Sequence, residues 1–386
     1  MSGRMQLKIT ALFLFSIFAL NADETPSPTQ ETSVETQETT PPLEPDTSST
    51  QVTSQPIEPS VAEAPQKEIN PSCRPQVQGG ANLFVIGEYL FWQATEQKLI
   101  FAGNIDSSDL GTTAQKGKVQ NARFNWASGF RFGLGYNTCH DGWDTRLVWT
   151  WFRDKANGHI TGSASKPAFG AISDPLFGIQ CNLGNTDLTL ISNLLDLEVG
   201  REFCTSRWLS LRPFAGLRAG WIHQRWNSFF SENVTSTEFG NLNAFGVFLR
   251  QKFWGIGLRA GLDTQWKIVS GLSLIADGAV SLLYSTFRDS RLETATSTAG
   301  IETVVLNGTE KKRTEQAIVE LQLGIRWDQM LSDDRYHFSF QAGWEHIVFF
   351  DHNRFFYFSE GTVESLAENG GNLAFQGLTV SARLDF

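Results

Sequence analysis

Charged side chains recur at one parity of stretches whose other parity is apolar. Arg131, Arg146, Arg212, Arg218 and Arg259 come early, Asp277, Glu320 and Glu345 come late, and Asp196, Asp263 and Arg326 break the segregation. A strand with one apolar and one charged face needs two different solvents. If such strands close into a ring in lipid, the charged face lines a wet lumen. An arc of guanidinium groups facing an arc of carboxylates then sets up a transverse field that sorts solutes by charge and dipole. Neighbours such as Arg146 and Asp196 can instead neutralise one another across adjacent strands.

Other reactive side chains are scattered. His223, His346 and His352, with Asp351, could supply an Asp/His or Ser/His site at an outer rim, but no spacing marks a nucleophile, so catalysis is not expected. Walker loops, dinucleotide fingerprints and clustered metal ligands do not occur in the required context, so neither cofactor nor metal is expected. No basic patch is interleaved with aromatics, which gives a nucleic-acid partner no support.

The elements that must position these residues are strands. Trp254, Ile256, Leu258, Ala260, Leu262 and Trp266 alternate with Gly255, Gly257, Arg259, Gly261, Asp263 and Gln265. The last stretch, NLAFQGLTVSARLDF at 372–386, alternates likewise. Ten such candidates follow residue 82. Stretches at 98–102 with 118–124, 243–250 and 301–306 extend hairpins or add strands, so ten to twelve are expected. Thirty Phe, 12 Trp and 34 Gly accompany 19% charged residues, and no run nears the ~18 apolar residues of a spanning helix.

Connections alternate in length. Short ones at 138–141, 204–207, 268–271 and 330–335 separate long ones at 94–125, 154–188, 223–251, 288–315 and 350–372. Outer-membrane barrels have short periplasmic turns and long extracellular loops, and this rhythm fits them better than a soluble sandwich. Trp254 and Trp266 share a face twelve residues apart. On a strand tilted by ~45° that spans roughly 28 Å, the apolar band with an aromatic at each rim. Trp143, Trp151, Trp221, Trp327 and Trp344 also lie towards strand ends and join them as a girdle. The fold expected is all-β, a transmembrane antiparallel barrel embedded in outer-membrane lipid.

Before the barrel, Arg4 and Lys8 precede an apolar stretch at 9–20, the layout of a signal peptide over residues 1–22. Residues 23–78 are rich in Pro, Thr, Ser and Glu and cannot bury enough apolar surface to offset their ordering entropy. They form an expected disordered periplasmic segment carrying most of the net charge of −10, and the barrel occupies 79–386.

Cys73, Cys139, Cys181 and Cys204 match no zinc or haem spacing, and export permits disulfides. The topology puts Cys73, Cys139 and Cys204 on the periplasmic side and Cys181 outside, free or available to another molecule. Bonds within or between molecules are expected at Cys139 and Cys204.

The segments GEYLFWQATEQKLIFA (87–102), ASGFRFGLGYNTCHDGWDTRLVWTWF (127–152) and LEVGREF followed by LSLRPFAGLRAGWIHQRW (197–226) resemble the Legionella-type major outer membrane protein family, also found in chlamydia-like bacteria. The likeness covers essentially residues 82–386, and its motifs are strand and turn patterns that mark no catalytic site. It implies a pore-forming porin for small hydrophilic solutes and ions, surface-exposed and disulfide-linked to envelope proteins or to copies of itself. The long Pro/Thr/Glu tail departs from the family pattern. Phe386 resembles the terminal aromatic signal read by the outer-membrane assembly machinery. A structural or adhesive barrel acting through its long loops is the alternative, and the lumen of a ten-stranded barrel can be filled by its own side chains.

Overall fold

The computed structural model describes residues 71–105, 117–138, 141–163, 166–173, 177–359, 365–368 and 370–386. The expected signal peptide, the tail up to residue 70 and Cys139 lie outside them. Ten long strands carry the fold: β1 (Leu83–Glu96), β2 (Trp126–Asn137), β3 (Trp143–Thr161), β4 (Leu183–Arg201), β5 (Leu209–Ser236), β6 (Gly240–Val269), β7 (Leu272–Ser297), β8 (Glu302–Leu331), β9 (Tyr336–Phe349) and β10 (Leu373–Asp385). Each pairs antiparallel with its neighbours in sequence, and β10 pairs with β1 from Phe84 opposite Asp385 to Glu96 opposite Leu373. The sheet is therefore a closed ten-stranded barrel. Closure is what lipid requires, since an open edge would leave unpaired N–H and C=O groups in hydrocarbon.

The two faces behave as alternation predicts through the membrane. Leu258, at mid-strand in β6, is 70% exposed, as an outward side chain against lipid must be. Trp143, Trp221, Trp254, Trp266, Trp327 and Trp344 are exposed on the outside and Trp151 is half-buried. Trp221 and Trp254 pair across β5 and β6. On the inward face Arg212 and Arg218 are buried.

Two of the long connections expected from the sequence are not loops. Residues 223–251 and 288–315 continue the β5–β6 and β7–β8 ladders to turns at 237–239 and 298–301. Past Trp221 the polarity of the faces inverts. Ile222, Trp226, Phe230, Phe245 and Phe287 point inward and are buried, while Arg225, Arg250, Lys252 and Arg288 point outward and are exposed. The stretches at 243–250 and 301–306, expected to extend hairpins or add strands, are part of these extensions; elsewhere in them the inverted phase reads as loop although the backbone pairing runs on.

At the periplasmic end the β6–β7 turn is two residues long, with Gly271 at φ 78°. The segment at 71–78, assigned by composition to the tail, lies against these turns. Arg74 Nη1 donates to the carbonyls of Thr138 (2.9 Å) and Trp143 (3.2 Å), and the Gln78 amide donates to the Asp334 carbonyl at 2.9 Å. Cys73 and Cys204 form a disulfide with Cα atoms 5.1 Å apart. The partner of Cys204 is thus Cys73. Cys181 is buried and unbonded, so a cross-link from it to another molecule is not available in this conformation.

Strands cross closely at Gly216 and Gly257, where a Cβ would overlap the carbonyl oxygens of Leu197 and Leu282 respectively. At Gly87, on the lipid side, a Cβ meets nothing within 4 Å. Gly257→Val should therefore abolish the heat-modifiable folded band on semi-native gels, and Gly87→Val should leave it. Equal folded yields from the two variants would contradict the close approach.

Candidate functional site

Inside the membrane-spanning part the barrel encloses a cavity of about 180 Å³ lined by charged side chains. Alternation brings them there. Arg131 (β2), Arg146 (β3), Asp196 (β4), Arg212 and Arg218 (β5), Arg259 and Asp263 (β6), Asp277 (β7), Glu320 and Arg326 (β8) and Glu345 (β9) all border it.

The charges are interleaved in three clusters. Arg218 grips Asp196 through Nε and Nη2, each at 2.6 Å, and also meets Glu320. Arg259 continues the chain, reaching Glu320 at 2.6 Å and Glu198 at 3.0 Å. Nearer the periplasm, Arg212 holds Asp144 through Nε (2.7 Å) and Nη2 (2.6 Å) and approaches Asp263 at 3.0 Å. Arg146 lies 3.4 Å from both Asp144 and Asp263. Across the lumen Arg131 bridges Glu88 (2.7 Å) and Glu345 (2.8 Å), and the Thr379 hydroxyl donates to Glu345.

Arg326 pairs with Asp328 at 2.9 Å, and Asp277 accepts a long 3.4 Å contact from the Thr264 amide. The two segregated arcs expected from the sequence order are thus replaced by alternating charges. The physical reason is desolvation. A buried guanidinium needs carboxylates within hydrogen-bond reach, and fork-on-fork contacts across neighbouring strands supply them. Arg146 does not pair with Asp196; its partners are Asp144 and Asp263.

Glu88, Asp144, Glu198, Asp328 and Asp385 complete this network beside the residues expected from the sequence. They sit at the inward parity of their strands, so parity alone could have found them. Aromatic faces roof the chamber, with Arg212 and Arg259 each 5.4 Å from the Phe214 ring and Arg131 5.6 Å from Trp92.

Towards the outside the interior becomes largely aromatic, with Glu96, Gln224, Arg291 and Glu293 among its buried polar groups. Trp92, Phe152, Phe253, Phe287, Phe349 and Phe375 are buried among themselves, with ring centroids 5.1–6.1 Å apart where they meet. Burial of each ring contributes on the order of 2 kcal/mol. Residues 350–355, read as part of a long loop, enter this end of the barrel, and His352, Asn353 and Phe355 are buried.

Three glutamines fasten the segment. Gln251 donates to the His352 carbonyl (2.9 Å) and accepts from the Arg354 amide (2.8 Å). The Gln97 carbonyl accepts from Asn353 at 2.9 Å. Gln316 donates to the Phe350 carbonyl at 2.7 Å, which leaves its oxygen to accept from His352 Nδ1 at 3.0 Å. His352 Nε2 then faces Phe253, Phe287 and Phe349 with no hydrogen-bond partner among the described residues. Burial, helped by the Arg354 charge, pushes His352 down to about 3, so the closed segment holds a neutral imidazole.

Above it Arg291 donates to the carbonyls of Ile172 (2.6 Å) and Phe356 (2.9 Å), binding two outer segments over the opening. His223 points outward on β5 and His352 inward, so the histidines singled out from the sequence are not brought together.

The family described as Legionella pneumophila major outer membrane protein precursor matches residues 81–386. No curated protein sequence matches the chain. Among solved structures it is similar to the Escherichia coli outer membrane protease OmpT (12% identity, 80% of this chain and 97% of that one, TM-score 0.37). It is also similar to Pseudomonas aeruginosa OprG (13%, 79% and 99%, TM-score 0.28) and to the Pseudomonas putida toluene transporter TodX (10%, 80% and 90%, TM-score 0.27).

Replacing Arg218 by Glu would set a third carboxylate beside Asp196 and Glu320. Uncompensated buried charge costs about 3–5 kcal/mol. The heat-modifiable band of Arg218→Glu should therefore collapse at markedly lower temperature than that of the native barrel. An unchanged transition with only altered ion preference would contradict the pairing.

Proposed function

Because the chain belongs to the Legionella pneumophila major outer membrane protein family and so resides in the outer membrane, we propose that it is a channel for small hydrophilic solutes and ions, held closed at its outer end by residues 350–355. The charge-lined cavity in the lumen carries this reading, since charged groups around an enclosed space give ions and polar solutes partners that an apolar interior does not. In the open state, solutes pass between the Arg131 cluster and the Arg212–Arg218 wall. Alternating charge there gives weak net selectivity between anions and cations, while the close-set guanidinium and carboxylate groups admit polar solutes over apolar ones.

Beyond the membrane lipid around the barrel, we infer as partners the assembly machinery at Phe386 and other envelope proteins or a second copy of the chain. The extended β5–β6 and β7–β8 hairpins favour a second reading, a surface barrel that binds through them. Loop-dependent binding without conductance would select that reading.

His352 gives the channel reading a pH dependence. Its ordinary value is about 6.5 and the closed segment holds it near 3, so the closed state binds fewer protons than the open one. The contribution of His352 to closure is complete above about pH 6.5 and is lost as the pH falls towards 3. Stepwise currents in a planar bilayer should accordingly show a higher open probability at about pH 4.5 than at about pH 7, and His352→Gln should flatten that difference. Absence of any stepwise current from correctly folded protein at either pH would overturn the channel.

A further inference from the structure

The outward side chains just beyond the outer tryptophans form rows that the pairing register defines. The row Trp151, Asn193, Trp221, Trp254, Thr286, Arg313 crosses six strands from β3 to β8 and contains three aromatics of the outer girdle. One step further out, the next row of the same parity is Arg153, Ile191, His223, Lys252, Arg288, Lys311. In the row after that, Arg225 stands directly opposite Arg250, with Lys155 two strands away. These basic side chains are exposed, and none forms an ion pair with an acidic group among the described residues.

Directly opposed side chains in a sheet have Cβ atoms about 5 Å apart, and like charges so placed repel. Lys252, Arg288 and Lys311 are three such neighbours in register. A free protein surface gains nothing from this arrangement, and an anionic layer against it removes the repulsion. Depth identifies the layer. Lys252 lies two residues beyond Trp254, about 5 Å above the aromatic girdle, where lipid headgroups meet water. The side chains also point sideways into the bilayer plane and not up into solvent, so they meet lipid headgroups before soluble anions.

We propose that this belt on β3 to β8 binds the phosphate groups of an outer-leaflet glycolipid, with Lys252, Arg288 and Lys311 at its centre. Phosphate suits the site because each oxygen can accept from a different strand, so one headgroup neutralises two or three cations at once. The belt lies at the base of the two tall outer hairpins, which a bound glycolipid would brace against the membrane.

The full-length protein, folded in detergent, is titrated with bisphosphorylated lipid A and with the same lipid stripped of both phosphates, and binding is read by native mass spectrometry and by the heat-modifiable transition. The native barrel should bind the phosphorylated form, and Lys252→Gln/Arg288→Gln/Lys311→Gln should bind it on the order of a hundredfold more weakly while retaining the unheated fast-migrating band. The same triple change should leave the affinity for dephosphorylated lipid A where it was. Equal binding of the two lipids by the native barrel overturns the proposal, as does a folded triple variant that binds phosphorylated lipid A like the native protein. If the triple variant does not fold, the comparison of the two lipids on the native barrel decides alone.

Discussion

Everything in this fold depends on closing the ring of backbone hydrogen bonds. Hydrocarbon offers no partner to an unpaired N–H or C=O, so the first and last strands must meet, and they do along their whole length from Phe84 opposite Asp385 to Glu96 opposite Leu373. Once the ring closes, each strand has one face committed to lipid and one to an enclosed interior. Ten strands leave that interior narrow, so inward side chains reach past their neighbouring strands. Arg131 on β2 meets Glu345 on β9, three strands away round the ring.

The enclosed space is resolved in two different ways along its axis. In the membrane-spanning part, inward guanidinium groups are interleaved with carboxylates, and a cavity of about 180 Å³ persists between them. Beyond the outer tryptophans the same face turns aromatic, and residues 350–355 complete a close packing that the chamber does not have. The exchange of polarity between faces at Trp221 and Ile222 separates the two regimes. It also creates the outward basic rows, because the face that leaves the lipid must become polar at the level where the interior becomes apolar.

Much of this was legible in the sequence. Period-two alternation and turn residues together located the ten strands, although the first alternates poorly and 194–203 only moderately, and the parity of Arg131, Arg212, Arg218 and Arg259 put them inside. The pairing pattern was not legible, because partners such as Arg212 and Asp144 lie 68 residues apart and meet only through register. Sequence order suggested two arcs of opposite charge, and desolvation selected interleaving instead. The stretches at 243–250 and 301–306, expected to extend hairpins or add strands, do extend them, while the rest of each extension, whose alternation continues in inverted phase, reads as loop. Nothing local marks residues 350–355 as a plug. Their burial depends on the side-chain amides of Gln251 and Gln316 and on the main-chain carbonyl of Gln97, which meet this segment only in three dimensions.

The central claim is that the lumen is conductive in its inner half and closed in its outer half by residues 350–355. Single-channel recording at neutral pH on a variant with residues 350–355 replaced by a Gly-Ser linker tests it most directly. The account predicts larger and longer-lived conductance steps than those of the native chain. Steps of the same size and lifetime in the two proteins, with the folded band intact, would contradict it.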